Sequence, residues 1–241
     1  MERIRTRLIC LALVFGLLFC LTACGQENGS ESSHAEQGRA DETAPTASND
    51  KDSDNAAEQK EKTAGDGKSL VVYFSRTGEQ YTVGVIDKGN TAIVAEMIAE
   101  AAGADLFELL PADDRYPMTY AELTDAAKRE QNENARPEYA GETPDLSGYD
   151  TIFIGAPVWW GDWPMILYTF FEKNADALAG KTLVPFSTHE GSGLSGFDKK
   201  LGKVCPDSDI LKGLAIRGND CQNRQDSVRE DVADWLGELG Y

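Results

Sequence analysis

From Ser69 to Tyr241 short apolar runs alternate with longer amphipathic ones, and that alternation narrows the fold more than any other feature of the chain. "SLVVYFS" (Ser69–Ser75) is apolar on both faces, as a strand covered on both sides requires. Ile93, Val94, Met97, Ile98 and Ala101 then recur at helical spacing, and Gly103 closes that helix. "ADLFELL" (Ala104–Leu110) predicts a second strand, and "TYAELTDAAKREQNEN" from Thr119 a surface helix. "YDTIFIGAP" holds a third strand from Thr151 to Gly155, and "WPMILYTFFEKNADAL" a helix with Pro164 at its opening, where a missing N–H costs little. "KTLVPFST" predicts a fourth strand, "GFDKKLGKV" a short helix, "DILKGLAIRG" a fifth strand and "RQDSVREDVADWLGEL" a closing helix. Five strands separated by helices predict an α/β fold with a doubly wound parallel sheet.

In such sheets ligands sit beyond the carboxyl ends of the strands, near the point where strand order reverses. Three loops there are unusual. After the first strand the chain writes "SRTG", makes an excursion from Glu79 to Lys88, and only then supplies "GNT" and a helix. With the excursion removed, the text is a strand, a turn of hydroxyl residues and a helix N-terminus, which together suit a phosphate group. Ser75, Thr77, Asn90 and Thr91 are the candidate donors, although the same residue types also cap helices. The alternation of Tyr81, Val83 and Val85 with Thr82 and Gly84 predicts a small hairpin or flap in the excursion.

The loop after the third strand, "GAPVWWGDWPM" (Gly155–Met165), carries three tryptophans, of which Trp163 is expected to pack on the following helix and the others to stack on a planar ligand. The loop after the fourth, "STHEGSGLSG" (Ser187–Gly196), has glycines that let backbone amides approach a ligand, together with His189 and Glu190. No "GxGxxG" follows a strand and no "GxxxxGK[ST]" is present, which removes support for the usual dinucleotide and nucleoside triphosphate sites. A phosphate cradle, a stacking loop and an amide-rich loop at one sheet edge describe a site for a phosphorylated planar ring, and FMN is the economical choice.

On "YFSRTG", "GNT", "GAPVWWG" and "STHEGSG", residues 69–241 resemble the flavodoxin-like proteins. The resemblance implies strand order 2-1-3-4-5 and non-covalent FMN. It would place Ser75, Arg76, Thr77, Gly78, Asn90 and Thr91 around the phosphate. Pro157, Val158, Trp159, Trp160 and Gly161 would border the flavin ring, with Thr188, His189, Glu190, Gly191, Ser192 and Gly193 closing its other side. In the family the phosphate turn is continuous; here it is split, which leaves open whether Gly78 or Gly89 supplies the close backbone approach. The implied role is electron transfer through FMN, at a low potential because Asp162 and Glu190 stand near the ring. Two alternatives stay open: an FMN-dependent NAD(P)H:quinone or small-molecule reductase, and a flavin-free binding lipoprotein on the same fold. The redox donor and acceptor are not written in the sequence.

Residues 1–24 combine Arg3, Arg5 and Arg7 with an apolar run from Leu8 to Leu21, the pattern of an export signal. "LTAC" resembles the lipobox of bacterial lipoproteins, in which the cysteine carries the lipid, so Cys24 is the candidate anchor. Residues 25–68 are acidic and polar with almost no aliphatic side chains, a composition that cannot offset its ordering entropy. As a tether they would reach about 35–40 Å. The expectation is a bacterial, exported protein held on the extracytoplasmic side of a membrane. The remaining stretch of about 170 residues fits one domain. A formal net charge of −18 argues against a nucleic-acid partner, which would need a basic surface. Cys205 and Cys221 flank the fifth strand, roughly 20 Å or more apart by strand rise, so no bond between them is expected.

Overall fold

The computed structural model describes residues 67–113 and 116–241. The export signal, Cys24 and all but the last two residues of the tether therefore lie outside the described residues. Among the described residues no helix is long and apolar enough to cross a membrane.

The first strand, β1 (Ser69–Tyr73), is buried along its whole length. It is followed by β2 (Gly78–Gln80), β3 (Gly84–Ile86) and helix α1 (Asn90–Ala102). β1 lies between β4 (Asp105–Glu108) and β5 (Thr151–Pro157), both parallel to it, with Val72 opposite Phe107 on one side and Ile154 on the other. β6 (Thr182–His189) continues the sheet beside β5. Across the sheet the order is β4-β1-β5-β6 and then a fifth position opened by β7 (Asp209–Ile210). This is the doubly wound 2-1-3-4-5 arrangement.

Two-residue alternation along β1 sends Leu70 and Val72 to one face and Val71 and Tyr73 to the other, so the sheet divides the apolar interior into two cores. The first core takes Leu123 from α2 (Tyr120–Glu133), Ile166, Leu167 and Phe170 from α3 (Met165–Lys173), Leu178 from α4 (Ala175–Leu178), and Phe197 and Leu201 from α5 (Phe197–Val204). The second takes the apolar stripe of α1, Cys221 from α6 (Gly218–Asn223) and Trp235 from α7 (Gln225–Leu239). Val94 and Ile98 on α1 are fully buried, each such side chain contributing about 1.5–3 kcal/mol.

Two expectations are corrected. The fifth strand is not continuous: β7 pairs with Thr182 and Leu183, and β8 (Leu214–Arg217) pairs with Phe186 to His189. Leu183 turns its backbone groups toward that position, its carbonyl accepting from Leu211 N at 3.0 Å. Pro185, two residues on, faces the same way with no N–H to donate. Opposite it a Cβ on Gly213 would stand 2.7 Å from the Pro185 carbonyl oxygen, so the ladder breaks there and resumes one step later. The third-strand helix also breaks, at Asn174, whose Nδ2 donates to Phe170 O at 2.8 Å and so competes with the helical ladder. Cys205 and Cys221 are separate, buried thiols.

Candidate functional site

The excursion from Glu79 to Lys88 is an antiparallel hairpin, with Glu79 opposite Val85. It leaves the sheet edge and returns, bringing Gly89 back against the end of β1. α1 has Gly89 at its N-cap and therefore no side-chain cap of its own. Ser75 supplies the missing acceptor: its Oγ takes the hydrogen bond of Ala92 N at 3.0 Å. A Cβ on Gly89 would overlap that hydroxyl and stand 2.7 Å from the Arg76 carbonyl oxygen. The glycine is required by this approach; at φ −66° its backbone is ordinary. Gly78, by contrast, has φ +87° and lies against the Met118 carbonyl, where it starts the hairpin.

This arrangement leaves the first N–H groups of α1, those of Asn90 and Thr91, beyond the reach of intrahelical carbonyls. The Ser75 hydroxyl hydrogen stays available as well, because its oxygen is the acceptor. Arg76 adds a positive charge, held by donation from Nη2 to Tyr116 O at 2.8 Å and seated over the Tyr116 ring. Thr91 Oγ1 is hydrogen bonded to Thr188 Oγ1 at 2.7 Å, and the buried pair ties the phosphate-type loop to the loop after β6. Asn90 is fixed by Gln222 Nε2, which donates to its Oδ1 at 2.8 Å.

These residues open onto a cavity of about 310 Å³ at the carboxyl edge of the sheet. Ser75, Arg76, Asn90 and Thr91 line one part of it; Pro157, Val158, Trp159 and Trp160 line another; Thr188, His189, Glu190 and Ser192 line a third. Thr77, Gly78, Gly161, Gly191 and Gly193 fall outside the lining and shape the loops. Thr77 O accepts from Gln80 Nε2, Gly161 O accepts from Lys200, Gly191 N donates to His189 Nδ1, and Gly193 O accepts from Ser187 Oγ.

The tryptophans divide their work. Trp159 packs edge-on against Phe74 and Tyr116, each at 5.3 Å between ring centroids. Trp160 is about half exposed and sits at φ +51°, with Gly161 at φ +73°. Trp159 and Asp162 exchange both backbone hydrogen bonds across them at 3.0 Å, so the pair occupies the centre of a tight primed-type turn. Trp160 is pinned there by donation from Nε1 to Thr124 O at 2.9 Å and by Lys128 Nζ 4.9 Å above its ring. A non-glycine residue in this region costs on the order of 1 kcal/mol, strain of the kind found where a side chain must be held for a ligand. Trp163 is buried and stacked on Phe197.

Of the two carboxylates expected near the ring, only Glu190 reaches the cavity. Asp162 Oδ1 accepts from Trp163 N at 2.8 Å and from the Tyr168 hydroxyl at 3.0 Å, with Lys200 Nζ at 3.3 Å. Glu190 Oε1 accepts from Asn219 N at 2.8 Å, and its Oε2 lies 3.9 Å from Arg217 without a hydrogen bond. Burial pushes His189 below its ordinary value near 6.5, with Arg217 acting in the same direction and Glu190 opposing. Its Nδ1 accepts from Gly191 N at 2.9 Å, so the neutral ring carries its proton on Nε2.

One wall was not foreseen. Gln80 and Tyr81 from the hairpin, Tyr120, Leu123, Thr124 and Ala127 from α2, and Gly218 also line the cavity. Leu123 and Ala127, four apart on a predicted surface helix, were the available signal.

The donor set fits FMN: hydroxyl, free amides and a guanidinium for a phosphate, aromatic rings for the flavin, and an amide-rich loop across from them. No curated protein is significantly similar to the chain. A provisionally named flavoprotein from Bacteroides uniformis is 32% identical, with 71% of this chain and 98% of that one covered and a TM-score of 0.56. A second, from Bacteroides eggerthii, is 30% identical over 72% of this chain and 98% of that one, also with a TM-score of 0.56. A flavoprotein in complex with FMN from Lactobacillus acidophilus shares the fold at 21% identity, covering 66% of this chain and 99% of that one, with a TM-score of 0.51. The family model described as Flavodoxin matches residues 68–238, and with that match the chain belongs to the flavodoxin family.

Proposed function

We propose that the chain is an FMN-binding redox protein that passes electrons between partners while tethered to a membrane through Cys24. The observation that carries the reading is the remote cap: Ser75 completes α1 and leaves the Asn90 and Thr91 amides facing the same cavity as Trp159 and Trp160. The solved complex of the Lactobacillus acidophilus flavoprotein with FMN supports the choice of cofactor.

When bound, FMN supplies one- and two-electron chemistry at its ring. Ser75, Arg76, Asn90 and Thr91 bind the phosphate, and the α1 dipole adds to their attraction. Trp159 and Trp160, which line the cavity, would border the ring and exclude water from it. Thr188, His189, Glu190 and Ser192 line the same cavity and would contact the ring from their loop, with His189 Nε2 as a neutral donor. The Glu190 carboxylate disfavours added negative charge in the cavity, which lowers the potential of the bound cofactor.

An absorption spectrum of the purified chain, before and after addition of FMN and beside Ser75→Ala, tests this reading. Flavin bands with quenched fluorescence, weakened in the variant, are the expected result. A chain that leaves FMN free at tens of micromolar would sink it. The tether is tested separately by metabolic labelling with a radioactive fatty acid, which Cys24→Ala should abolish.

A further inference from the structure

Gln222 lies outside the lining of the cavity, yet its amide decides what Asn90 presents there. Its Nε2 donates twice, to Lys88 O at 2.9 Å and to Asn90 Oδ1 at 2.8 Å. A backbone carbonyl only accepts, so the Lys88 contact fixes which end of the Gln222 amide faces the returning hairpin. The second hydrogen then holds the Asn90 oxygen, and the Asn90 nitrogen is turned the other way. One residue of α6 thereby sets the orientation of an amide 132 positions earlier in the chain.

Asn90 Nδ2 is turned toward Gly218, the first residue of α6, and Glu190 approaches the same glycine. A Cβ at residue 218 would stand 2.4 Å from Asn90 Nδ2 and 2.7 Å from Glu190 Oε1. With no side chain there, a donor and a carboxylate acceptor open together on one point of the cavity lining. Among the described residues Asn90 Nδ2 donates to no protein group. Glu190 is held by Asn219 N, which donates to Oε1 at 2.8 Å and leaves that oxygen a second lone pair. A phosphate suits this pair badly, because the carboxylate repels it; a hydroxyl suits it, accepting from the amide and donating to the carboxylate.

We infer that Gln222 is a positioning residue for the polyol chain of the flavin: by holding the Asn90 oxygen it presents Nδ2, beside Glu190, to a hydroxyl of the chain that joins ring and phosphate. The identity of the ligand rests on the FMN reading. Asn90 then has two roles, its backbone amide serving the phosphate and its side chain the polyol. Gly218 keeps the point between donor and acceptor open, and α6 becomes a fourth contributor to the site beside the three loops.

Fluorescence titration of the full chain, freed of cofactor, with three flavins separates the contributions: lumiflavin carries the ring alone, riboflavin adds the polyol and FMN adds the phosphate. The parent should bind riboflavin roughly fivefold or more tightly than lumiflavin. Gln222→Met keeps the length of the side chain and removes both donors. It should cut that ratio about three- to tenfold, the range of one or two ordinary hydrogen bonds, with lumiflavin itself within about twofold of the parent. The step from riboflavin to FMN should hold within about twofold, whereas Ser75→Ala should shrink that step and spare the first. Gly218→Ala, which fills the point between Asn90 and Glu190 and leaves Gln222 in place, should reproduce the loss seen in Gln222→Met. An unchanged ratio of riboflavin to lumiflavin in Gln222→Met, a loss confined to the FMN step, or an equal loss for all three flavins each overturns the inference; the last two would make Gln222 a support of the turn and no more. FMN binding with riboflavin held no tighter than lumiflavin leaves the proposed function standing and removes the polyol contact. A chain that binds none of the three flavins overturns both.

Discussion

Gly89 lies directly against Ser75: a methyl group at residue 89 would overlap the serine hydroxyl that caps α1. The contact joins two pieces of chain separated by a hairpin, so the phosphate-type turn is continuous in space though broken in sequence.

Gly89→Ala should therefore act on both halves at once. Displacing Ser75 Oγ removes the hydrogen bond to Ala92 N, a cap of the kind worth about 0.5–2 kcal/mol. It also moves a proposed phosphate donor. Urea unfolding should report a loss of that order, and flavin fluorescence titration a fall in FMN affinity of about tenfold or more. Gly78→Ala strains the hairpin start at φ +87° against Met118, and should lower stability with a smaller effect on FMN.

Lys200 fastens two loops with one ammonium group. Its Nζ donates to Gly161 O and to Ser195 O at 3.1 Å, and stands 3.3 Å from Asp162 Oδ1. Because the pair is about one quarter exposed, solvent screening keeps the ionic part small, and Lys200→Met should cost about 1 kcal/mol. The clearer effect is on FMN: without the tie, the Trp160 turn and the loop from Ser187 to Gly196 move independently. The titration should show a several-fold weaker Kd; an unchanged value would mean that the loops hold their positions without Lys200.

The fold was legible because its signals are local. The α1 stripe of Ile93, Val94, Met97 and Ile98, ended by Gly103 in the left-handed conformation, is written within one stretch of chain. The strand-end loops were legible for the same reason. What stayed hidden depends on contacts distant in sequence. Nothing near residue 213 announces that the fifth strand must skip a step, since the cause is Pro185 on the neighbouring strand. The cavity wall was hidden likewise: α2 reads as a surface helix until Glu79 caps Tyr120 and Tyr81 stacks on its ring. Asp162 looked like a cavity carboxylate only because its partners Tyr168 and Lys200 come from two later helices.

Trp160→Asn separates stability from binding. Asn tolerates positive φ better than Trp, and Asn-Gly is the preferred pair for this turn, so the replacement relieves strain at φ +51°. It also removes the indole bond to Thr124 O and the Lys128 contact, each worth roughly 1 kcal/mol or less at this exposure. Thermal unfolding should shift by only a few degrees. Loss of the ring face should still weaken FMN about tenfold; binding at parental strength would show that Trp160 is not a stacking residue.

Glu190→Gln tests the electrostatic role of the one carboxylate in the cavity. The amide keeps an oxygen for Asn219 N, so the start of α6 is preserved while the charge is removed. Spectroelectrochemical titration of the FMN-loaded chain should give a higher midpoint potential in the variant, since less negative charge opposes reduction. A midpoint unchanged or lowered would mean that Arg217, 3.9 Å away, already neutralises Glu190.

His189 sets the expected pH dependence. Burial holds its folded pKa below the ordinary 6.5, so in the window between the two values the unfolded chain binds more protons than the folded one. The stability tied to the neutral ring is complete above about pH 6.5 and is lost as pH falls through the folded pKa. Protonation of Nδ1 also breaks the acceptor bond with Gly191 N, loosening the loop that closes the cavity. Urea unfolding at pH 7.5 and 5.5 should show the parent losing more stability on acidification than His189→Gln, and FMN release should rise over the same interval. Equal losses in the two proteins would place the acid-sensitive group elsewhere in the domain.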